Sequence, residues 1–425
     1  MDIAKIHQLF LESKGVCTDT RKIKKQTLFF ALKGENFDGN KYANNALKDG
    51  ASYAIVDDKE LTLSENHILV SDVLDTLQSL ASYHRTYLNT PIIALTGSNG
   101  KTTTKELINC VLSTKYNTTA TSGNLNNHIG VPLTLLSMNE ETEIGIVEMG
   151  ANHLKEIEFL CNIAKPDYGY ITNIGKAHLE GFGSLEGVLQ GKTELYRYLK
   201  KNDKLIFLNA EDKKLSNNSI GIKKISFSTK SESDISIQLE EIDPMVKVNY
   251  KNTNINSNLI GSYNFTNIAA AITIGAYFNV SPKKIKTAIE SYTPANNRSQ
   301  IITKGKLTII LDAYNANPTS MSAAIDNFEQ LGYNTKTVFL GDMFELGKEA
   351  FTEHQKIVDR IINTSIHTIY LIGENFLHTS CDDPRVKKYK TFTDLSENWI
   401  SEQNQTAILI KGSRGMQLER ILNLM

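Results

Sequence analysis

Residues 91–104 run Pro91-Ile92-Ile93-Ala94-Leu95-Thr96-Gly97-Ser98-Asn99-Gly100-Lys101-Thr102-Thr103-Thr104, and the remainder of the chain is best interpreted outward from them. Ile92 to Leu95 form a short apolar run that suits a buried strand. Gly97 and Gly100 punctuate a tight loop with Ser98 and Asn99, where a missing Cβ lets backbone N–H groups come close to a ligand. From Lys101 the period becomes helical, with Leu107, Ile108, Val111 and Leu112 on one face. Strand, glycine loop, Lys-Thr and helix together make a phosphate cradle, because N–H groups and the positive end of the helix dipole face the anion. Lys101 adds a point charge for outer phosphates, and the Thr102 hydroxyl suits a Mg²⁺ shell. The loop is shorter than the general P-loop pattern, which would place a glycine where Leu95 stands. An ordinary glycine turn is the plainer alternative.

The chain has 425 residues, room for roughly two to four domains with separate cores. Its 46 Lys+Arg balance 47 Asp+Glu, so no global attraction to nucleic acid or an anionic membrane follows. Cys17, Cys110, Cys161 and Cys381 lie far apart, which suits lone buried thiols in a reducing compartment better than a metal site. No signal-peptide pattern and no apolar run long enough to span a membrane is present. These features predict a soluble, cytoplasmic α/β protein.

Before the cradle, Leu28–Leu32, Tyr53–Val56 and His67–Val70 read as strands, and Tyr42–Asp49 as a helix stopped by Gly50. Thr18–Arg21 and Lys33–Gly39 read as polar loops. After it, Gly123-Asn124-Leu125-Asn126-Asn127-His128-Ile129-Gly130 offers amides that both donate and accept, suiting a sugar, an amide, a phosphate or simply a long turn. Ile144–Gly150 is a strand carrying Glu148 near its carboxyl end, and Tyr168–Ile174 another, followed by His178. Ligands of open α/β sheets sit outside the carboxyl ends of the strands, where the cradle, Glu148 and His178 all fall. Both side chains suit Mg²⁺ beside a triphosphate, the hard carboxylate more naturally. Gly187–Lys200 reads as one helix, on which Lys192 looks like a solvent-facing lysine. Gly261–Phe265 leads into an Ala-rich helix over Ala269–Tyr277. Pro294-Ala295-Asn296-Asn297-Arg298 reads as a linker, after which βα units restart with strands at Leu307–Leu311, Thr337–Leu340, Thr368–Ile372 and Ala407–Ile410. The organisation predicted is three α/β domains: 1–89, N-terminal; 90–297, a central P-loop ATPase-like domain; and 298–425, a Rossmann-like domain facing it across a cleft.

The stretches T-G-S-N-G-K-T-T-T-K-E, G-N-L-N-N-H-I-G-V-P-L-T-L-L, V-E-M-G-A-N-H and N-I-G-K-A-H-L-E-G-F-G-S-L-E-G-V, in this order, resemble the Mur ligases of peptidoglycan synthesis. D-A-Y-N-A-N-P-T-S-M, L-G-D-M-F-E-L-G, G-S-R-G-M-Q-L-E and the N-terminal L-F-F-A-L-K-G-E-N-F-D-G are similar to the F-type subgroup. The resemblance implies a ligase that uses ATP and Mg²⁺, with UDP-N-acetylmuramoyl-tripeptide and D-alanyl-D-alanine as its partners, acting as a monomer. It implies that Lys101 and its loop (Gly97 to Thr103) hold the ATP phosphates, that Thr102 and Glu148 hold Mg²⁺, and that His178 serves a second Mg²⁺. Lys192 matches a lysine that is carbamylated in the family and so becomes a metal-binding anion. Asn264, Arg298, Asp312 and Asn315 fall at nucleotide contacts; Thr20, Asn124, Asn126 and Asn127 fall where the muramyl substrate lies. Tyr263 stands where a histidine is frequent. Other readings are a sister Mur ligase adding one amino acid, a relative of folylpolyglutamate synthetase, a P-loop phosphotransferase and a non-catalytic nucleotide-binding module.

Overall fold

The computed structural model describes residues 2–61, 64–230, 232–242, 244–295, 297–398 and 406–425; the Asn296 step of the expected linker lies outside them. Three α/β domains follow one another along the chain. The first sheet is parallel, in the order Val16–Cys17, Leu28–Phe30, Tyr53–Val56, His67–Leu69. The expected Lys33–Gly39 loop is a small hairpin in which Lys33–Gly34 pairs with Phe37–Asp38, and Thr20–Lys22 form a single turn capped by the Asp19 carboxylate.

The central sheet is wholly parallel. Its strands lie in the order Ile235–Ser236, Lys223–Ser228, Leu205–Asn209, Tyr168–Ile171, Ile92–Thr96, Ile144–Glu148, Thr118–Ala120. The run Ile92 to Thr96 is buried throughout, as a strand with neighbours on both edges and helices on both faces must be. Leu95 pairs with Glu148 and Thr96 with Ile171, so these strands end level with one another. The helix Lys101–Leu112 buries the expected face, with Leu107, Ile108, Val111 and Leu112 all inaccessible. It packs on the helix Tyr263–Tyr277, where Gly275 permits the approach: a Cβ there would lie 2.4 Å from Val111 Cγ1. That helix begins six residues earlier than the Ala-rich stretch predicts, and its first turn is tied back to the preceding strand, where Asn264 Nδ2 donates to the Ile260 carbonyl. The expected single helix over Gly187–Lys200 is two, Leu185–Lys192 and Glu194–Lys201, broken at Thr193, whose hydroxyl bonds back to Leu189 O.

The third sheet starts with Gln300–Lys304 antiparallel to Leu307–Asp312 and continues in parallel through Ala407–Lys411, Lys336–Gly341, Thr368–Ile372 and Val386–Tyr389. Of the four cysteines only Cys17 and Cys161 are buried, and all are free thiols. No helix among the described residues is long and apolar enough to cross a membrane.

A histidine pair ties the first domain to the second. His84, on the helix Val73–Leu88, places Nε2 2.9 Å from the Met138 carbonyl, so that nitrogen carries the proton. Its Nδ1 then accepts, 3.0 Å from Nε2 of His7. Burial pushes both imidazoles below the ordinary histidine range, and their mutual repulsion lowers His7 further. The unfolded chain therefore binds more protons than the folded one below about pH 6.5, and the stability held by the neutral pair is lost as pH falls. Urea midpoints should drop between pH 7 and pH 5, and the double variant His7→Gln/His84→Gln should flatten that drop; an unchanged slope would count against the pair.

Candidate active site

The level strand ends open into a cleft of about 660 Å³ between the central and C-terminal domains. Ser98 to Thr103, Asn124, Asn126, Asn127, Glu148, His178, Asn264, Arg298, Asp312 and Asn315 all line it. Gly97 and Lys192 lie just outside the lining, and Thr20, in the N-terminal domain, is not part of it.

The glycine loop is held from one side. Ser98 N–H donates to Asn173 O at 3.0 Å, Asn99 N–H to Asn173 Oδ1 at 3.1 Å, and Thr172 Oγ1 to Asn99 O at 2.6 Å. Gly97 sits at φ +141°, and a Cβ there would meet Thr172 Oγ1 at 2.0 Å. The first bond of the following helix runs from Thr104 N–H to Gly100 O, which leaves the preceding N–H groups as donors at a cleft-lining helix start. Lys101 Nζ reaches Gly97 O at 2.7 Å and Ser98 O at 3.2 Å, so its charge stands over the loop. Burial lowers the lysine's pKa, and Glu148 opposes that shift.

Glu148 is 1 % exposed. Its Oε1 accepts from Asn126 Nδ2 at 2.8 Å, while Oε2 has no hydrogen-bond partner among the described residues. A buried carboxylate oxygen left open in this way suits a cation. Among the described residues no three His, Cys, Asp or Glu side chains form a metal cluster. Lys192, expected on a solvent-facing helix side, is fully buried at the end of its helix, donating to Ala151 O at 2.9 Å. Burial, then the nearby Lys101 charge, holds its pKa well below the usual lysine value.

The C-terminal domain closes the other side with residues that no motif spacing identified. Asn317 Nδ2 donates to Asn99 Oδ1 at 2.7 Å, Lys176 N–H to Thr319 Oγ1 at 3.0 Å, and Lys176 Nζ pairs with buried Glu353 at 2.7 Å. Glu345 places Oε2 2.6 Å from His178 Nδ1, an ion-pair contact and not an aligned hydrogen bond, and the histidine holds this carboxyl below the usual glutamate range. Buried Lys411 pairs with Asp312 Oδ2 at 2.5 Å, and the Arg298 guanidinium lies 3.7 Å from the Tyr314 ring centre. Tyr263 gives its hydroxyl to a contact with Ser299 Oγ at 2.9 Å, and Ser299 N–H donates to Asp312 Oδ1 at 3.1 Å. Arg298, Asp312 and Tyr263 are named through the family resemblance, and Lys176, Tyr314, Asn317, Thr319 and Glu345 lie within its motifs; for Lys411 the sequence signal is the recurrence of polar residues after each strand, and Glu353 has none.

Three profiles of one family match in order: "Mur ligase family, catalytic domain" over residues 12–85, "Mur ligase middle domain" over 95–275 and "Mur ligase, glutamate ligase domain" over 297–414. The chain is 38% identical to the UDP-N-acetylmuramoyl-tripeptide–D-alanyl-D-alanine ligase of Bacillus subtilis, across 96% of this chain and 92% of that one. Its structure resembles MurF from Acinetobacter baumannii, with a TM-score of 0.87, 28% identity and 98% and 97% of the two chains covered. It shares its fold with the MurF ligase of Thermotoga maritima solved with ADP, at a TM-score of 0.83 and 23% identity over 98% and 97% of the chains. The chain belongs to the Mur ligase family.

Gly97→Ala should force the loop off Thr172, costing about 1–3 kcal/mol of stability from the strained backbone and clash. Calorimetry with Mg-ADP should show affinity lost with it; unaltered affinity would mean that the loop does not hold phosphate.

Proposed function

We propose that this chain joins D-alanyl-D-alanine to UDP-N-acetylmuramoyl-tripeptide at the expense of ATP, giving the pentapeptide precursor, ADP and phosphate. The observation that carries the reading is the meeting, in one cleft, of a glycine-loop helix start and a buried carboxylate with one oxygen open. The names of the full-length relatives support the choice of substrates. We take the functional divisions as 1–89 for the muramyl nucleotide, 90–297 for ATP and 298–425 for ligation, in a cytoplasmic monomer.

A carboxylate resists attack because its charge repels nucleophiles and oxide is a poor leaving group. Transfer of the γ-phosphoryl group to the tripeptide's terminal carboxylate gives an acyl phosphate. The dipeptide amine then adds to that carbonyl, and the tetrahedral intermediate expels phosphate. Both steps build negative charge on oxygen. Lys101 and the N–H groups opening its helix are the donors at the loop that would stabilise that charge. Asn264, Arg298, Asp312 and Asn315 receive the nucleotide, and Thr20, Asn124 and Asn127 the muramyl substrate. Thr102 and Glu148 would hold one Mg²⁺ and His178 would serve a second, with Lys192 as carbamate. The ion supplies Lewis-acid stabilisation to phosphoryl oxygens. The C-terminal domain, held on the central one through Asn317, Thr319 and Glu345, excludes water from the acyl phosphate. Lys192 suits carbamylation because burial lowers its pKa and so favours the free amine, the form that attacks CO₂ and loses one proton as the carbamate forms. Protein equilibrated with ¹³C-bicarbonate should show one carbamate resonance that Lys192→Arg abolishes.

The decisive assay measures phosphate release from Mg-ATP and UDP-N-acetylmuramoyl-tripeptide, with either lysine or diaminopimelate third in the peptide. Release should require D-alanyl-D-alanine, and Lys101→Ala should reduce it by about 10²–10³-fold while the fold persists. Release stimulated instead by one amino acid on a shorter precursor would make this a sister ligase. Phosphate appearing on a product and not free in solution would make it a phosphotransferase.

A further inference from the structure

Asn124, Asn126 and Asn127 share one loop and perform different tasks. Asn127 Oδ1 accepts from Ile129 N–H at 3.1 Å and Gly130 N–H at 2.9 Å, so it caps the helix that starts at Gly130. Asn124 is exposed at the cleft. Asn126 reaches the sheet. Its Nδ2 donates to Glu148 Oε1 at 2.8 Å, and its main-chain carbonyl accepts from Gly150 N–H at 2.7 Å. The amide fills the space that Gly150 leaves open: a Cβ on Gly150 would lie 2.8 Å from Asn126 Oδ1. Loop and strand end are therefore built around this contact.

Glu148 gives the contact its consequence. The strand fixes its backbone, and its N–H donates to Thr121 Oγ1 at 2.9 Å. Its carboxylate is buried, and Asn126 is the partner that holds Oε1, while Oε2 has none. An amide NH₂ can only donate, so it occupies Oε1 and leaves Oε2 to face a cation. Partners of this kind set the orientation of a ligating carboxylate.

We infer that Asn126 is a positioning residue for Glu148, turning its carboxylate so that Oε2 faces Mg²⁺, and that it is not a direct contact to the muramyl substrate. The inference rests on Glu148 being the magnesium carboxylate.

The test uses the full chain with ADP and Mn²⁺ as the probe, reading free Mn²⁺ by electron paramagnetic resonance. Asn126→Ala should weaken Mn²⁺ binding about 10–100-fold, the usual effect of removing such a partner. Asn126→Ser, which keeps a polar loop residue yet falls short of Glu148, should give the same loss and serves if the alanine variant melts. Glu148→Gln should weaken Mn²⁺ binding at least as far, and adding Asn126→Ala to it should change nothing more. Wild-type Mn²⁺ affinity in Asn126→Ala, with a raised KM for the muramyl tripeptide, would overturn the positioning role and restore a substrate contact. Wild-type Mn²⁺ affinity in Glu148→Gln would instead overturn the assignment of Glu148.

Discussion

Everything in the cleft depends on the parallel register of three neighbouring strands. Because Leu95 lies beside Glu148 and Thr96 beside Ile171, the glycine loop, the carboxylate and the Thr172–Gly175 segment leave the sheet at one level. Parallel strands that end together deliver their loops to the same edge, and no other element needs to bend to build the site. The loop has little freedom once there. Thr172 and Asn173 take up its polar groups from one side, and Gly97 avoids a steric overlap that any side chain would create.

Charge is distributed around that edge according to what burial permits. Lys411 is inaccessible but matched by Asp312, and Arg298 spreads its charge over the Tyr314 ring. Lys192 has no carboxylate in contact and instead donates to a main-chain carbonyl beside Phe182. Burial therefore pushes its pKa well below the usual lysine value, disfavouring the charged form. Glu148 shows the converse, a buried carboxyl group with one oxygen bonded and the other without a hydrogen-bond partner among the described residues.

The loop of asparagines shows how one residue type divides its work. Asn and Gly in succession are compatible with a turn, a cap or a polar site. Packing resolves the ambiguity: Asn127 bonds its own helix start, Asn126 bonds Glu148, and Asn124 stands exposed at the cleft. A similar division runs across the domain boundary, where Tyr263 uses its hydroxyl to reach Ser299 and so joins the nucleotide-side helix to the strand that carries Asp312.

The sequence by itself determined the alternation of strand and helix, the tight glycine loop and the placement of Glu148 and His178 at or after strand ends, because these follow from local periodicity and the conformational needs of glycine. Spacing alone read Lys192 as solvent-facing, where the family resemblance set it among the metal ligands, and ran one helix through Thr193, because neither burial nor a hydroxyl's choice of backbone partner is written in spacing. The facing of Asn317, Glu345 and Lys411 toward the same cleft was decided by tertiary structure alone. Those residues lie far along the chain from Lys101, and only the docking of one sheet's carboxyl edge against another brings them within reach.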